Sequence, residues 1–440
     1  MEENPSNEIK NSPNYYLPHH AIFKEYSSTT KIRVVFDASA KTSSSNSLNE
    51  TLLVGPTIQR DIFSICLRSH QHAYLMTGDI EKMYRQIWVA RKHIDFQRIV
   101  WRDSPNEQLK HFRLLTVTYG TAAAPFLATR VLKQLAADSS VTHPRASKIL
   151  LEDFYVDDVI TGSDTIDEII SLQTELVGLL KSAGINLRKW TTNCWPLLIS
   201  LPDDQRELSP VDFEESNSIK VLGLQWCPSK DVFSYKVKFN PSNTCTKRHI
   251  LSEASKIFDP LGFLAPVIVG VKILLQELWR KQIAWDEEVP DSLSQQWNSI
   301  RNELPIVESF AIPRIMLQKQ RYWELHGFCD ASLDAYAAVV YCRNVNSDKS
   351  TSVTLVAAKS KVAPLKVLSL PRLEFCGGLL LVRLVNKIKL SLQVPEVNVF
   401  CWTDSSSVLH WFWLAASPKK WSVFIGNRTS EILTSMPFKL

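Results

Sequence analysis

Three carboxylates in the first third of the chain have types and surroundings suited to a metal-dependent site. Asp79 closes an apolar strand candidate, Ala73–Gly78, and is followed by Ile80–Glu81–Lys82–Met83–Tyr84. Asp157 and Asp158 are adjacent, directly after Phe154–Tyr155–Val156. Phe154–Thr161 reads as a hairpin with the acidic pair near its tip. If that hairpin lies beside the strand, the three carboxylates converge. Two such charges about 4 Å apart repel by roughly 4 kcal/mol at an effective dielectric of about 20, so a cluster of this kind persists by holding protons or cations. Oxygen ligands with no His or Cys nearby favour Mg2+ or Mn2+. Two such ions about 3.5–4 Å apart clamp the attacking and leaving oxygens of an in-line phosphoryl displacement. An Asp-Asp pair alone is weak evidence, because Asp favours turns for local hydrogen-bonding reasons.

A second set lies in the last third. Asp330 ends a strand candidate, Leu325–Asp330; Glu374 lies in the helix after Pro371; Asp404 follows the strand candidate Val397–Trp402. Singly these are ordinary turn residues and a first-turn acid favoured by the helix dipole. With Ala335–Arg343 and Ser352–Ala358 as two further strands and a helix after Asp404, the order becomes βββ-α-β-α. That order puts all three acids at element ends.

The elements that must position the first set mix strands and helices over roughly 190 residues. Lys31–Asp37, Ile94–Trp101 and Phe112–Thr118 join Ala73–Gly78 as strand candidates, and Ala122–Ala136 has helical composition. Ile166–Leu180 sets Ile166, Ile169, Ile170, Val177 and Leu180 on one helical face. The first fourteen residues read as a frayed tail, and Leu201–Glu215, rich in Pro, Asp and Glu, as a linker. From Ile219 to Lys256, seven Lys and Arg stand against Asp231 and Glu253, an excess of +5 that equals the net charge of the whole chain. A Trp-studded helical region (Trp279, Trp285, Trp297) follows it.

Composition narrows the classes. The chain has 440 residues, enough for several domains, with 45% hydrophobic and 22% charged residues, which excludes wholesale disorder. Only 13 are glycine, with no G-x-G pair and no Gly-Lys-Ser/Thr, so neither a dinucleotide fingerprint nor a P-loop is present. The eight cysteines form no C-x-x-C pair, which argues against a zinc module and fits reduced thiols in an intracellular protein. Leu261–Leu275, the longest apolar stretch, is interrupted by Pro266 and Lys272 and is too short to span a bilayer.

In order, KIRVVFD (31–37), DIEKMYRQI (79–87), TVTYGTAAAP (116–125) and YVDD (155–158) resemble the fingers and palm of retroelement reverse transcriptases. The fuller strings YYLPHHAIFKE, KIRVVFDASAKT, SLNETLLVGP, INLRKW and KIFDPLGFLAPV resemble the Bel/Pao class of long-terminal-repeat retrotransposons. The resemblance runs from about Tyr15 to the end. It implies an α+β multidomain chain: a right-hand polymerase with fingers and palm at 15–200, a thumb and connection-like region at 201–320, and a ribonuclease H-like domain at 321–440.

By this resemblance Asp79 and Asp157 are the principal ligands of two Mg2+ (or Mn2+) ions, and Asp158 assists. Tyr84 gates the sugar of the incoming dNTP against a 2′-hydroxyl. Arg33, with Lys24, contacts the triphosphate, and Tyr119 and Gly120 form the template–nucleotide platform. Leu187–Trp190 and Val221–Trp226 mark the primer-grip end, and the basic segment takes the place of the thumb. Asp330, Glu374 and Asp404 match the metal ligands of ribonuclease H. The family's fourth carboxylate would lie past Leu440, and Asp334 is too near Asp330 to replace it, so the ribonuclease H-like domain is expected to be incomplete. The implied partners are an RNA or DNA template with its primer, RNA–DNA hybrid, dNTPs, and protease and integrase products encoded elsewhere in a polyprotein. A location in the cytoplasm, in virus-like particles or in the nucleus would follow.

Two other classes compete. One is a non-catalytic nucleic-acid-binding relic, against which the intact Asp79, Asp157, Asp158 and Tyr84 argue. The other is a retroviral-type aspartic peptidase, which needs an Asp-Thr/Ser-Gly tripeptide that occurs nowhere in the chain. An integrase is excluded by the lack of a His/Cys zinc pattern.

Overall fold

A computed structural model describes residues 1–10, 13–23, 31–239, 245–316, 322–345, 349–393, 398–413 and 422–435. The first carboxylates sit in an antiparallel sheet ordered Phe154–Tyr155, Asp158–Ser163, Tyr74–Ile80, Leu187–Thr192. Tyr74–Ile80 is one of the two inner strands and is buried on both faces, as its apolar run requires. Alternation sorts its side chains. Met76 and Ile80 join Val159 and Trp190 against the helices Ala124–Asp138, Pro144–Glu152 and Ile166–Ser182. Leu75 and Ile160 turn the other way, onto Ile65 and Leu67 of the helix Ile62–Ser69.

That second face does not end in solvent. Its core continues through Trp226 and Phe233 into the C-terminal sheet, ordered Thr351–Val362, Ala335–Val345, Tyr322–Ala331, Val399–Trp402. The first three strands form the expected meander and the fourth runs parallel to Tyr322–Ala331. The 23-residue helix Leu370–Leu392 lies across one face, burying Phe375, Leu380, Leu384 and Ile388 against Leu325, Ala338 and Val340. A third sheet, Ile219–Val221, Leu224–Cys227, Val232–Ser234 and Ile312–Pro313, stands at the junction. The helices Lys247–Ala254, Ala265–Arg280 and Asp291–Glu303 close around Trp297.

Several expectations change. The first residues are held rather than frayed: Glu2–Glu3 pairs with Phe112–Arg113, and buried Arg98 donates to the Ile9 and Glu8 carbonyls. Ile94–Trp101 splits into a 3-10 turn, Arg91–Gln97, and a short strand, Arg98–Trp101. Leu201–Glu215 is ordered, with Leu201 and Leu208 buried and a Ser209 capping box opening the helix Pro210–Glu214. Helix Ile166–Ser182 buries Ile169, Leu172, Leu176, Leu179 and Leu180, while Ile166 stays exposed. The buried stripe is broader than expected: Leu172, Leu176 and Leu179 join Ile169 and Leu180, with Ile170 and Val177 at its partly buried margin.

Candidate polymerase and ribonuclease H-like sites

Asp79 and Asp158 are direct cross-strand partners. Tyr155 pairs with Asp158, so Val156 and Asp157 form the tip between two strands, and the Ile80 N–H donates to the Asp157 carbonyl at 2.9 Å. Val156 has φ 57°, in the left-handed region that a β-branched side chain seldom adopts. Its N–H is held by Gln59 Oε1 at 3.1 Å. Lys82 and Lys189, flanking the same carboxylates, also have positive φ. Strained backbone of this kind persists where the surroundings over-determine it, and it gathers at functional sites.

The electrostatics fit a site short of positive charge. Burial, followed by the charges of Asp157 and Asp79, pushes the Asp158 carboxyl up to about 7. Burial also raises Asp157, with Asp79 adding to it and Lys189 and Arg33 opposing. The Lys189 ammonium lies 3.1 Å from Asp79 Oδ2. Among the described residues, no three His, Cys, Asp or Glu side chains are already arranged around one cation. The trio is a set of crowded neighbours rather than a finished cage. Its donors are all carboxylate oxygens, the set that suits Mg2+ or Mn2+.

The raised Asp158 pKa has a measurable consequence. The folded chain holds a proton, between about pH 4 and about pH 7, that the unfolded chain has released. This contribution to stability is present at low pH and is lost as pH rises through 7. Without metal, the melting temperature should fall from about pH 5 to about pH 8. Asp158→Asn should flatten that fall, and Mg2+ should raise the melting temperature more at the upper pH than at the lower. A wild-type slope unchanged in Asp158→Asn would contradict the assignment.

Of the residues expected to contact nucleotide, Arg33 and Tyr84 lie close enough to the trio to exchange charge effects with Asp157, while Tyr119 and Gly120 pack on Phe36. Arg33 lies on the strand Ile32–Phe36 of a hairpin with His19–Phe23, near enough to lower Asp157. Tyr84 sits in the 3-10 turn Met83–Gln86; burial, then the Asp157 charge, raises its hydroxyl pKa. Tyr119 packs edge-on to Phe36 with centroids 5.3 Å apart, and Arg85 caps both rings at 5.2 Å. Gly120 has φ 91°, and a Cβ there would collide with the Phe36 carbonyl, so glycine is required. Lys24 lies outside the described residues.

Sequence reading missed Lys189, Gln59 and Asn49. Asn49 donates to the Gly120 carbonyl at 3.1 Å and accepts from the Ala122 N–H at 2.7 Å, fixing the loop at Gly120. Lys189 stood inside INLRKW, but its aim depends on an irregularity in the pairing between Thr77 and Asp79, which carries no sequence signal.

The basic segment is also less available than its charge suggests. Lys247 is buried, donating to the Ile283 carbonyl and lying 3.3 Å from the Trp279 ring centroid. Arg248 is paired with Asp286 and Lys256 with Glu253. Lys220, Lys230, Lys236 and Lys238 remain exposed.

The fold brings the second set of acids toward one end of the C-terminal sheet. Phe328 pairs with Trp402, an offset that sets Asp330 level with Asp404. Ser405 Oγ donates to Glu374 Oε2 at 2.7 Å, drawing the helix acid to the end of that strand. Burial, then the charges of Asp330, Asp404 and Glu374, pushes the Cys329 thiol beneath them up to about 11. One buried group therefore senses all three carboxylates.

These features define a mixed α/β chain resembling a retroviral reverse transcriptase with a ribonuclease H-like domain. Two solved structures share the architecture, both of the foamy viral protease-reverse transcriptase. One, in complex with RNA/DNA hybrid, is 14% identical at a TM-score of 0.58 over 96% of this chain and 49% of its own. The other, in complex with double-stranded DNA, is 14% identical at 0.59 over 95% of this chain and 63% of its own. This chain thus spans between about half and just under two thirds of their length. Residues 246–405 match the family described as Pao retrotransposon-like RNaseH-like domain, as the Bel/Pao resemblance implied. No curated protein sequence matches the chain. Among the described residues, no helix is long and apolar enough to cross a membrane.

Proposed function

We propose that this chain is the RNA-directed DNA polymerase region of a Bel/Pao-class retroelement polyprotein, with fingers and palm around the first trio and a thumb after residue 200. A ribonuclease H-like domain carrying Asp330, Glu374 and Asp404 follows. The observation that carries the reading is the cross-strand pairing of Asp79 with Asp158, with Asp157 held at the strained tip between them.

Asp79 and Asp157 would hold two Mg2+ ions, with Asp158 assisting; when bound, these neutralise charge on the reacting phosphate as the primer 3′-hydroxyl displaces pyrophosphate from a dNTP. The protein supplies position and fixed charge. Arg33 anchors the triphosphate through a planar guanidinium. Tyr84 presents its ring under the sugar and excludes a 2′-hydroxyl. The Tyr119–Gly120 turn, clamped by Asn49, supports the template base opposite.

Template–primer duplex, RNA–DNA hybrid and dNTPs are the substrates, and other polyprotein products are the partners. The setting is intracellular, in the cytoplasm or virus-like particles. Incubated with primed RNA template, dNTPs and Mg2+ or Mn2+, the purified chain should extend the primer, and chelation should stop it. Folded protein that binds the template–primer yet adds no nucleotide with either ion would favour a non-catalytic relic.

A further inference from the structure

The motif KIFDPLGFLAPV has no part in either carboxylate site, yet its fold is tightly specified. Asp259 accepts from the Phe263 and Leu264 N–H groups at 2.9 and 2.8 Å and from the Tyr235 hydroxyl at 3.1 Å. The Ala358 N–H donates to the Leu261 carbonyl at 2.8 Å. Gly262, at φ 78°, lies so close to Ala358 that any Cβ would enter its carbonyl. The motif therefore docks on the outer strand of the C-terminal sheet and forms one wall of a cleft of about 520 Å3, whose other walls are that strand and the helices Ala265–Arg280 and Leu370–Leu392.

The cleft is cationic. Lys272, Lys359, Lys361, Arg383 and Lys387 line it with one acid, Asp259. Three cations are engaged within the protein: Lys272 with the Ser360 carbonyl, Arg383 with Glu431, and Lys387 with Asp61. Lys359 and Lys361 are exposed, and among the described residues neither makes an ion pair or side-chain hydrogen bond. Partial desolvation by the cleft wall, then the charges of Lys361, Lys387, Lys272 and Arg383, lowers the Lys359 amine, so the cations press on one another. Two residues apart on one strand, the two free lysines stand about 6.8 Å apart along it.

We infer that this cleft is a second nucleic-acid contact, binding the phosphodiester backbone of a duplex through Lys359 and Lys361. The inference rests on the polymerase reading for its choice of polyanion. Arg383 and Lys387 follow Glu374 on one helix by about 14 and 20 Å at 1.5 Å per residue. Through Ala337, Ser360 stands level with Asp330 two strand spacings of about 4.8 Å away, so Lys359 and Lys361 flank a point about 10 Å across the sheet from that carboxylate's strand.

The test is the affinity of the full chain for a 20-base-pair RNA–DNA hybrid in EDTA, measured against salt, for wild type and for Lys359→Gln/Lys361→Gln. Each lost phosphate contact should lower the salt slope by about 0.9, so the double variant should lose about two units and bind about tenfold more weakly at low salt. Both lysines are exposed, so the fold should persist, which circular dichroism checks. A slope and affinity equal to wild type overturn the inference. So does a variant that loses affinity only for inorganic tripolyphosphate, which would make the cleft a site for free polyphosphate. The assay needs neither metal nor catalysis. A chain that fails to extend primers but shows the lowered slope loses the polymerase reading and keeps the cleft; the reverse outcome does the opposite.

Discussion

Asp157→Asn is expected to reduce nucleotide incorporation by at least about a thousandfold while hybrid affinity in EDTA stays within about threefold. The magnitude follows from the several kcal/mol of charge stabilisation a two-metal site supplies, each 1.36 kcal/mol being a factor of ten. Asn has nearly the same shape, so the Val156–Asp157 tip, its Gln59 contact and the Ile80 hydrogen bond to the residue 157 carbonyl should survive. Loss of extension would then report loss of a charged oxygen. A companion effect is expected without substrate. Because the Asp157 charge helps to raise Asp158, removing it should lower the Asp158 pKa and weaken the pH dependence of melting. Wild-type extension by Asp157→Asn would remove this residue from the site.

The largest expected effect on stability lies elsewhere. Arg314 is fully buried at the junction of the sheets. Its fork reaches Asp231 Oδ1 and Oδ2 at 2.6 and 2.7 Å, and it also donates to the carbonyls of Ser69, His72 and Ala73, just before the strand that carries Asp79. Arg314→Ala leaves a carboxylate uncompensated and strips three carbonyls at once. Breaking a buried pair from one side costs about 3–5 kcal/mol, and chemical denaturation should show a loss of that size. Arg314→Lys should recover little, because an ammonium cannot span Asp231 and the carbonyls together. A loss under about 1 kcal/mol would mean that the junction is held by its apolar core alone.

How far the sequence reveals this arrangement depends on the range of the forces involved. The meander, the Leu370–Leu392 helix and the hairpin at Asp157 were legible because alternation and apolar periodicity are local. The convergence of Asp79 with Asp158 was legible only through the order of motifs, since pairing between residues so far apart leaves no local trace. Lys189 could not be placed, because its direction depends on a pairing irregularity and a left-handed backbone. The excess charge of Ile219–Lys256 overstated the available cations, because sequence does not show that Lys247 is stacked on Trp279 and buried. The tail was misread for the converse reason: Glu2 and Glu8 look solvated until Arg91 and Arg113 are brought to them.

In the proposed reading, Asp79, Asp157 and Asp158 form one divalent-cation site for nucleotide transfer. Its most direct test is anomalous scattering from crystals of the chain grown with primer–template, a dNTP and Mn2+. Two manganese peaks about 3.5–4 Å apart are expected beside the Asp79 and Asp157 carboxylates, with Lys189 moved off Asp79. A bound nucleotide with no manganese at these residues, and the Lys189–Asp79 pair intact, would contradict it.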